Sequence, residues 1–321
     1  MRWTECLRWQ RVGGQVPPDA PPRNALKAYV TLKTSCWPCS RSISEHECTI
    51  GTVSLCLAVV TPEGIVVAGD SRQATVVGGI TRIGSESAVK VFELTDTVVA
   101  ATAGWAFLQP QSSPAWRSIS SFIDDFRITI PAGSNVQAIA ARLWTYFSAL
   151  YQQHITQNPN TVLPAGQVAV GFFVAGYDPG SRVGSLFALD IPSAAAPATP
   201  GRTSTSPGPW WIGQVDVVAR IVNGYDPQIT NLPLLQAAEQ AGAAKPQLDK
   251  LSYIIPWNAM TVQDGIDFAV SMIQITTIIQ KFAAGTVLQP GGLAGVGGPI
   301  DVAVVKPGGT VTWVQRKELH T

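Results

Sequence analysis

One stretch constrains this chain more than any other: Ser54 to Arg72, in which two apolar, β-branched runs (54–60 and 65–70) flank Thr61-Pro-Glu-Gly64. Pro directly after the first turn residue and Gly at the fourth favour a tight type I turn, so the runs are expected to pair as a hairpin. Three further pieces follow in order: Asp70-Ser-Arg72 at the hairpin's end, Lys90 ahead of Val-Phe-Glu-Leu, and Ala103-Gly104 at the end of an apolar run from Val98. Taken singly each is ordinary, because an Asp at a strand end usually caps a turn and Ala-Gly is a common close-packing pair. Their joint order is what singles them out.

The chain has 321 residues, 46% hydrophobic and 13% charged, enough to bury a large core in one or two domains. The charges nearly cancel, 22 basic against 21 acidic, with no block of one sign. That pattern argues against a nucleic-acid or anionic-membrane partner. No apolar stretch reaches the ~18 residues of a membrane span and none follows the basic residues near Met1 as in a leader, so a cytoplasmic location is expected.

Residues 1–53 read differently from the remainder. Arg8, Arg11, Pro17, Pro18, Pro21, Pro22, Trp37 and Pro38 occur there without helical or strand periodicity. The expected organisation is an irregular extension, 1–53, ahead of one principal domain, 54–321. The extension reads either as a propeptide removed in maturation or as an untranslated upstream stretch, with Val53 as an alternative initiator; no Met lies between Met1 and Met260. It carries seven basic and four acidic residues, so its loss leaves a net charge of about −2. Of five cysteines, Cys6, Cys36, Cys39 and Cys48 lie in the extension and Cys56 in the hairpin. Cys36-x-x-Cys39 with His46 and Cys48 has soft metal ligands, but Pro interrupts the segment and no finger-like pattern flanks it; ordinary thiols and no metal are expected.

Further along, Ser113 and Pro114 are expected to open a helix carrying Trp116, Ile119, Ile123 and Phe126, and a second helix is expected from about Ser134 through Leu150. Strands are expected at 167–175, 183–189 and 210–217, with the Pro/Ser/Thr/Ala-rich stretch 193–209 as a loop. Thr261 and Asp264 form a capping box for a helix running to about Phe282. A glycine-rich turn, 291–299, then leads to strands at 300–305 and 311–314. That turn lacks the Gly-Lys-Ser/Thr of a phosphate loop. His46, His154 and His320 are scattered in polar or terminal contexts, giving no catalytic triad. The element order suggests two sheets between helical layers, an α+β protein.

From Ser54 to the C-terminus the chain resembles proteasome β-type subunits and their bacterial relatives, N-terminal-nucleophile hydrolases with a four-layer αββα fold. In that family the nucleophile lies sixteen positions before the Asp of an Asp-Ser-Arg-like triplet; counting back from Asp70 gives Ser54. The resemblance assigns Lys90 to the family's catalytic lysine and Gly104 to the oxyanion donor, with Arg72 bracing Asp70 or a nearby loop. Thr52 is the alternative nucleophile, because Gly51-Thr52 resembles the junction at which proteasome propeptides are cut. The family's threonine is here a serine, and the spacing from Asp70 to Lys90 is four residues longer than usual, so residues 73–89 are expected to bulge outward. The Asp and Ser that support the nucleophile in the family have no clear counterpart in Gly295–Asp301; Asp301 is the carboxylate that could stand in.

The implied chemistry is general. A serine hydroxyl becomes nucleophilic when a base takes its proton, and an α-amino group on the same residue, reference pKa about 7.7–8.0, suits that task. Removal of residues before Ser54 would create the base, and Lys90, paired with Asp70, would favour its neutral form. The resemblance therefore implies an autoprocessed peptidase acting on peptides or proteins, assembled as a homo-oligomer in a ring or helix, with no cofactor. Two alternatives are a catalytically silent subunit of such an assembly and a small-molecule amidase of the same fold.

Overall fold

The computed structural model describes residues 54–318 apart from 78–79, 112, 114, 165, 194, 197–198, 241 and 284–293. The extension 1–53, with Thr52 and the Cys36/Cys39/His46/Cys48 group, lies outside the described residues. What is described is mixed α and β, built on two five-stranded antiparallel sheets.

The first sheet is nucleated by the hairpin, β1 (Leu55–Val60) and β2 (Ile65–Gly69), whose register pairs Cys56 with Gly69. Thr61 ties the turn, its N–H and hydroxyl both donating to the Gly64 carbonyl at 2.9 and 3.0 Å. β3 (Gln73–Val77) and β4 (Ile80–Ser85) form a separate two-stranded ribbon, so the added length between Asp70 and Lys90 is a hairpin. β5 (Val91–Thr95) and β6 (Val98–Gly104) begin the second sheet, and β7 (Phe107–Leu108) with β8 (Arg117–Ser118) makes a small clasp. Helices α1 (Ile119–Arg127) and α2 (Val136–Gln157) follow. β9 (Val170–Tyr177), β10 (Gly184–Ile191) and β11 (Arg202–Thr203) complete the second sheet in the order β11-β10-β9-β6-β5. β12 (Gly208–Gly213) returns to the first sheet. Then come α3 (Asp216–Asn223), α4 (Pro233–Gln240), α5 (Ala244–Leu248) and α6 (Val262–Phe282), and last β13 (Asp301–Val305) and β14 (Thr312–Gln315). The first sheet's order is β12-β1-β2-β13-β14.

Strand periodicity explains the packing. Leu55, Leu57 and Val59 of β1 face a cluster with Val218, Ala269 and Ile273 of α3 and α6, whereas Cys56, Ala58 and Val60 face one holding Phe173, Ala175 and Tyr177 of β9. β9 alternates in the same way, turning Val170, Phe172 and Val174 toward α1 and α2. β1 and β2 thus bury both faces, one against α3 and α6 and one against strands of the second sheet, which is why they read as continuous apolar runs.

Three expectations need correction. The first helix starts at Ile119 rather than at Pro114: the β7–β8 clasp keeps the chain extended to Ser118, whose hydroxyl caps Ser121 N–H at 3.2 Å, while Ser113 donates to the Ala115 carbonyl. The strand expected at 210–217 stops at Gly213, opposite Leu55, where its partner β1 begins; past that point Val217 and Val218 bury themselves on a helix. The 193–209 stretch contributes the edge strand β11. The capping box at Thr261 and Asp264 forms as expected.

Phe173 sits fully buried between the sheets. Phe173→Ala is expected to lower unfolding free energy by about 3–5 kcal/mol, against about 0.5 kcal/mol or less for Ile128→Ala at an 88% exposed position. Denaturant unfolding followed by circular dichroism measures both.

Candidate active site

The hairpin register returns Asp70 to the start of β1. Asp70 N–H donates to the Leu55 carbonyl at 3.2 Å, and Leu55 N–H donates to Asp70 Oδ1 at 2.9 Å. The Asp70 side chain is fully buried, and its second oxygen accepts from the backbone N–H groups of Arg72 (3.1 Å) and Gly297 (3.0 Å). Lys90, immediately before β5, completes the set: its ammonium donates to Asp70 Oδ1 at 2.7 Å and to the Arg72 carbonyl at 2.5 Å. Burial without such partners would cost several kcal/mol per charge.

Gly104 ends β6 at φ +112°, and a Cβ there would lie 2.3 Å from the Ala169 carbonyl oxygen, so no other residue fits without displacing β9. Trp105 N–H donates to that carbonyl at 2.7 Å and Thr102 N–H donates to the Lys90 carbonyl at 2.9 Å. Along an antiparallel strand successive N–H groups point to opposite sides. The Gly104 N–H therefore lies on the β5 side, past the first residue of that strand, where a cleft opens.

Ser54, Lys90 and Gly104 line that cleft, a small one of about 80 Å³ that opens to solvent. The other walls are uncharged, chiefly Ala74, Ala88, Trp105 and Ile119, with hydroxyls from Ser118 and Ser120. The structure thus gathers Ser54, Asp70, Lys90 and Gly104 at one end of the space between the sheets. Arg72 braces a loop: its guanidinium pairs with Glu86 at 2.8 Å and donates to the Ala294 carbonyl at 2.9 Å. Asp301 does not line the cleft, its carboxylate being taken by Lys317.

Sequence reading missed the role of the glycine-rich turn. Residues 294–298 clamp the Asp70 corner, the Gly297 carbonyl accepting from the N–H groups of Ser71 and Arg72. A Cβ at Gly297 would meet the Arg72 guanidinium at 2.5 Å, and the lack of side chains in the turn is the signal that could have been read. His154 keeps polar partners but is buried, edge-on to Trp105 and Trp116, with Nδ1 accepting from Gln109 N–H at 3.0 Å and Nε2 3.2 Å from the Thr161 hydroxyl. Burial holds its pKa below the ordinary histidine value. Among the described residues no group of three or more His, Cys, Asp or Glu side chains could hold a metal, and no helix is long and apolar enough to cross a membrane.

Cys56 lies beneath the site, its thiol directed at the Thr102 carbonyl at 3.2 Å. Burial pushes its pKa up to about 12, the nearby Lys90 charge opposing. Only the thiolate reacts, so at pH 8 Cys56 is expected to resist iodoacetamide in the folded protein and to become labelled when denaturant is added. Peptide mapping by mass spectrometry reads the two states.

No protein-family model matches the chain and no curated protein matches it, which leaves the site to be read from its own geometry.

Proposed function

We propose that the chain is a proteasome-like N-terminal-nucleophile hydrolase that cleaves peptide amide bonds through an acyl-enzyme on Ser54, its two facing sheets and their helices forming an αββα sandwich. The observation that carries this reading is the Lys90 ammonium, held between a fully buried carboxylate and the Arg72 carbonyl at the cleft that Ser54 and Gly104 line. An ion pair of that kind is weak evidence for stability, so its place at the cleft is the informative property.

Cleavage of the chain ahead of Ser54 gives that residue an α-amino group. The amine takes the hydroxyl proton as Ser54 Oγ attacks the substrate carbonyl carbon. Negative charge moves to the carbonyl oxygen, where the Gly104 N–H donates to it; loss of one such donor typically costs 10²–10³ in rate. The tetrahedral adduct collapses with cleavage of its C–N bond, and the leaving amine takes the proton back from the Ser54 ammonium. Water then attacks the ester as the amine accepts its proton, the acyl C–Oγ bond breaks and Ser54 Oγ takes that proton from the ammonium, releasing the carboxylic acid and restoring the serine. Lys90, kept in place by Asp70, sets positive charge beside the amine and favours its neutral form. The uncharged walls suit neutral peptide side chains, since a charged one would lose hydration without a counter-charge. Thr52 is the alternative mature terminus and preserves the mechanism; homo-oligomerisation follows from the same reading.

Intact mass and N-terminal sequencing of protein from its native host are expected to give a chain beginning at Ser54, and Ser54→Ala is expected to abolish cleavage of capped fluorogenic peptides. A chain that keeps residues 1–53 would sink the reading, because the base would not exist. Lys90→Met is expected to lower kcat by about 10²–10⁴ and unfolding free energy by about 3–5 kcal/mol, as Asp70 loses its counter-ion. Steady-state kinetics and denaturant melts separate the two effects.

A further inference from the structure

A second buried ion pair lies beside the first, and the hydrolase mechanism leaves it unused. Asp301 opens β13 and is 2% exposed; its carboxylate is held by the Lys317 ammonium and accepts the Lys317 backbone N–H at 2.8 Å. Both side chains are nearly inaccessible, 3% and 4% exposed. A pair of this kind rarely adds net stability over an apolar substitute, so its location is the informative property.

The sheet register fixes that location. Asp301 pairs directly with Gly69, the residue before Asp70. Directly opposed residues of an antiparallel pair project to the same face, their Cβ atoms about 4.5–5.5 Å apart. The Gly69 position marks where that face leads: a Cβ built on it would lie 3.0 Å from Cys56 Sγ, 3.1 Å from Val91 and 3.6 Å from Lys90 Cβ. Ala303 and Val305, two and four residues after Asp301, face the same space between the sheets. Asp301 therefore enters the layer that holds the Lys90 stem.

We infer that Asp301 and Lys317 are positioning residues for the Ser54 site: Lys317 neutralises a carboxylate that would otherwise compete with Asp70 for Lys90 and hold the Ser54 amine protonated. This rests on the hydrolase reading and extends it to a segment distant in sequence. The pair also fixes the clamp. Gly297 is gripped by Asp70 and Asp301 by Lys317, so residues 297–301 are fastened at both ends. Trp313 packs on the inter-sheet cluster under the Arg316 guanidinium, 4.5 Å from the ring, and brings Lys317 to its place. Among the described residues the charged or titratable groups around the site are Cys56 from β1, Asp70 and Arg72 after β2, Glu86 after β4, Lys90 before β5, Asp301 from β13 and Lys317 after β14.

The test is the pH dependence of kcat/KM on a capped fluorogenic peptide amide, whose acid limb reports the amine acting as base. Lys317→Met leaves an uncompensated anion that stabilises the ammonium form, so the limb is expected to move up by about one pH unit and the rate below it to fall about tenfold, with KM unchanged. Asp301→Asn leaves an uncompensated cation, and the limb is expected to move down. Lys317→Arg and the double variant Asp301→Asn/Lys317→Met are expected to return it to the native position. Opposite shifts identify a charge effect, and should Lys317→Met not fold, the downward shift in Asp301→Asn decides alone. Variants that lose only thermal stability while every limb coincides would overturn the inference and leave the hydrolase intact. If the native protein shows no Ser54-dependent cleavage, the hydrolase reading itself fails and the positioning role falls with it.

Discussion

Everything at this site hangs on the Asp70 carboxylate. It is fully buried, and such a group persists as an anion only where donors replace the water it has lost. Four do so: the N–H groups of Leu55, Arg72 and Gly297, and the Lys90 ammonium. These partners come from β1, the turn after β2, the loop before β13 and the approach to β5. One carboxylate therefore ties together the start of the first strand, a loop 227 residues away and the second sheet. Breaking any single contact leaves a buried polar group unpaired, which couples the positions of Ser54, Lys90 and the glycine-rich clamp.

The first half of this was legible in the sequence because it is local. The Thr61–Gly64 turn sets the hairpin register, and the register puts Asp70 at the level of Leu55 with no long-range information. The capping box at Thr261 was equally readable, being complete within four residues. Where the reading failed, the deciding partner was distant. Nothing near Ser113 announces that Arg117–Ser118 will pair with Phe107–Leu108 and delay the helix. The end of β12 depends on where β1 begins.

The clamp shows the same limit at the site. The glycine-rich turn, 291–299, has no phosphate-loop signature, and the structural role of 294–298 lies in what those residues lack. Arg72 and Glu86 approach so closely that side chains at Gly297 and Gly298 would collide with them. Glycine spacing reveals a close approach but not what approaches. Asp301 belongs to the same class: as a lone acid ahead of an apolar strand it resembles an ordinary strand-start residue, and only its pairing with Gly69 on one side and Lys317 on the other gives it meaning.

The space between the sheets explains how two ion pairs can be tolerated there. Away from the site that layer is filled by Tyr177 and Leu186, while Phe173 lies directly opposite Ala101. At the site Gly69 has no side chain, and a Cβ there would lie 3.0 Å from Cys56 Sγ and 3.6 Å from Lys90 Cβ. The lysine thus lies with its methylenes among apolar neighbours and its ammonium at the one place where a carboxylate and a carbonyl converge. A low-dielectric setting strengthens both that attraction and any error in charge balance. The same burial raises the pKa of Cys56, and the second carboxylate of this layer, Asp301, is accompanied by a second lysine, Lys317.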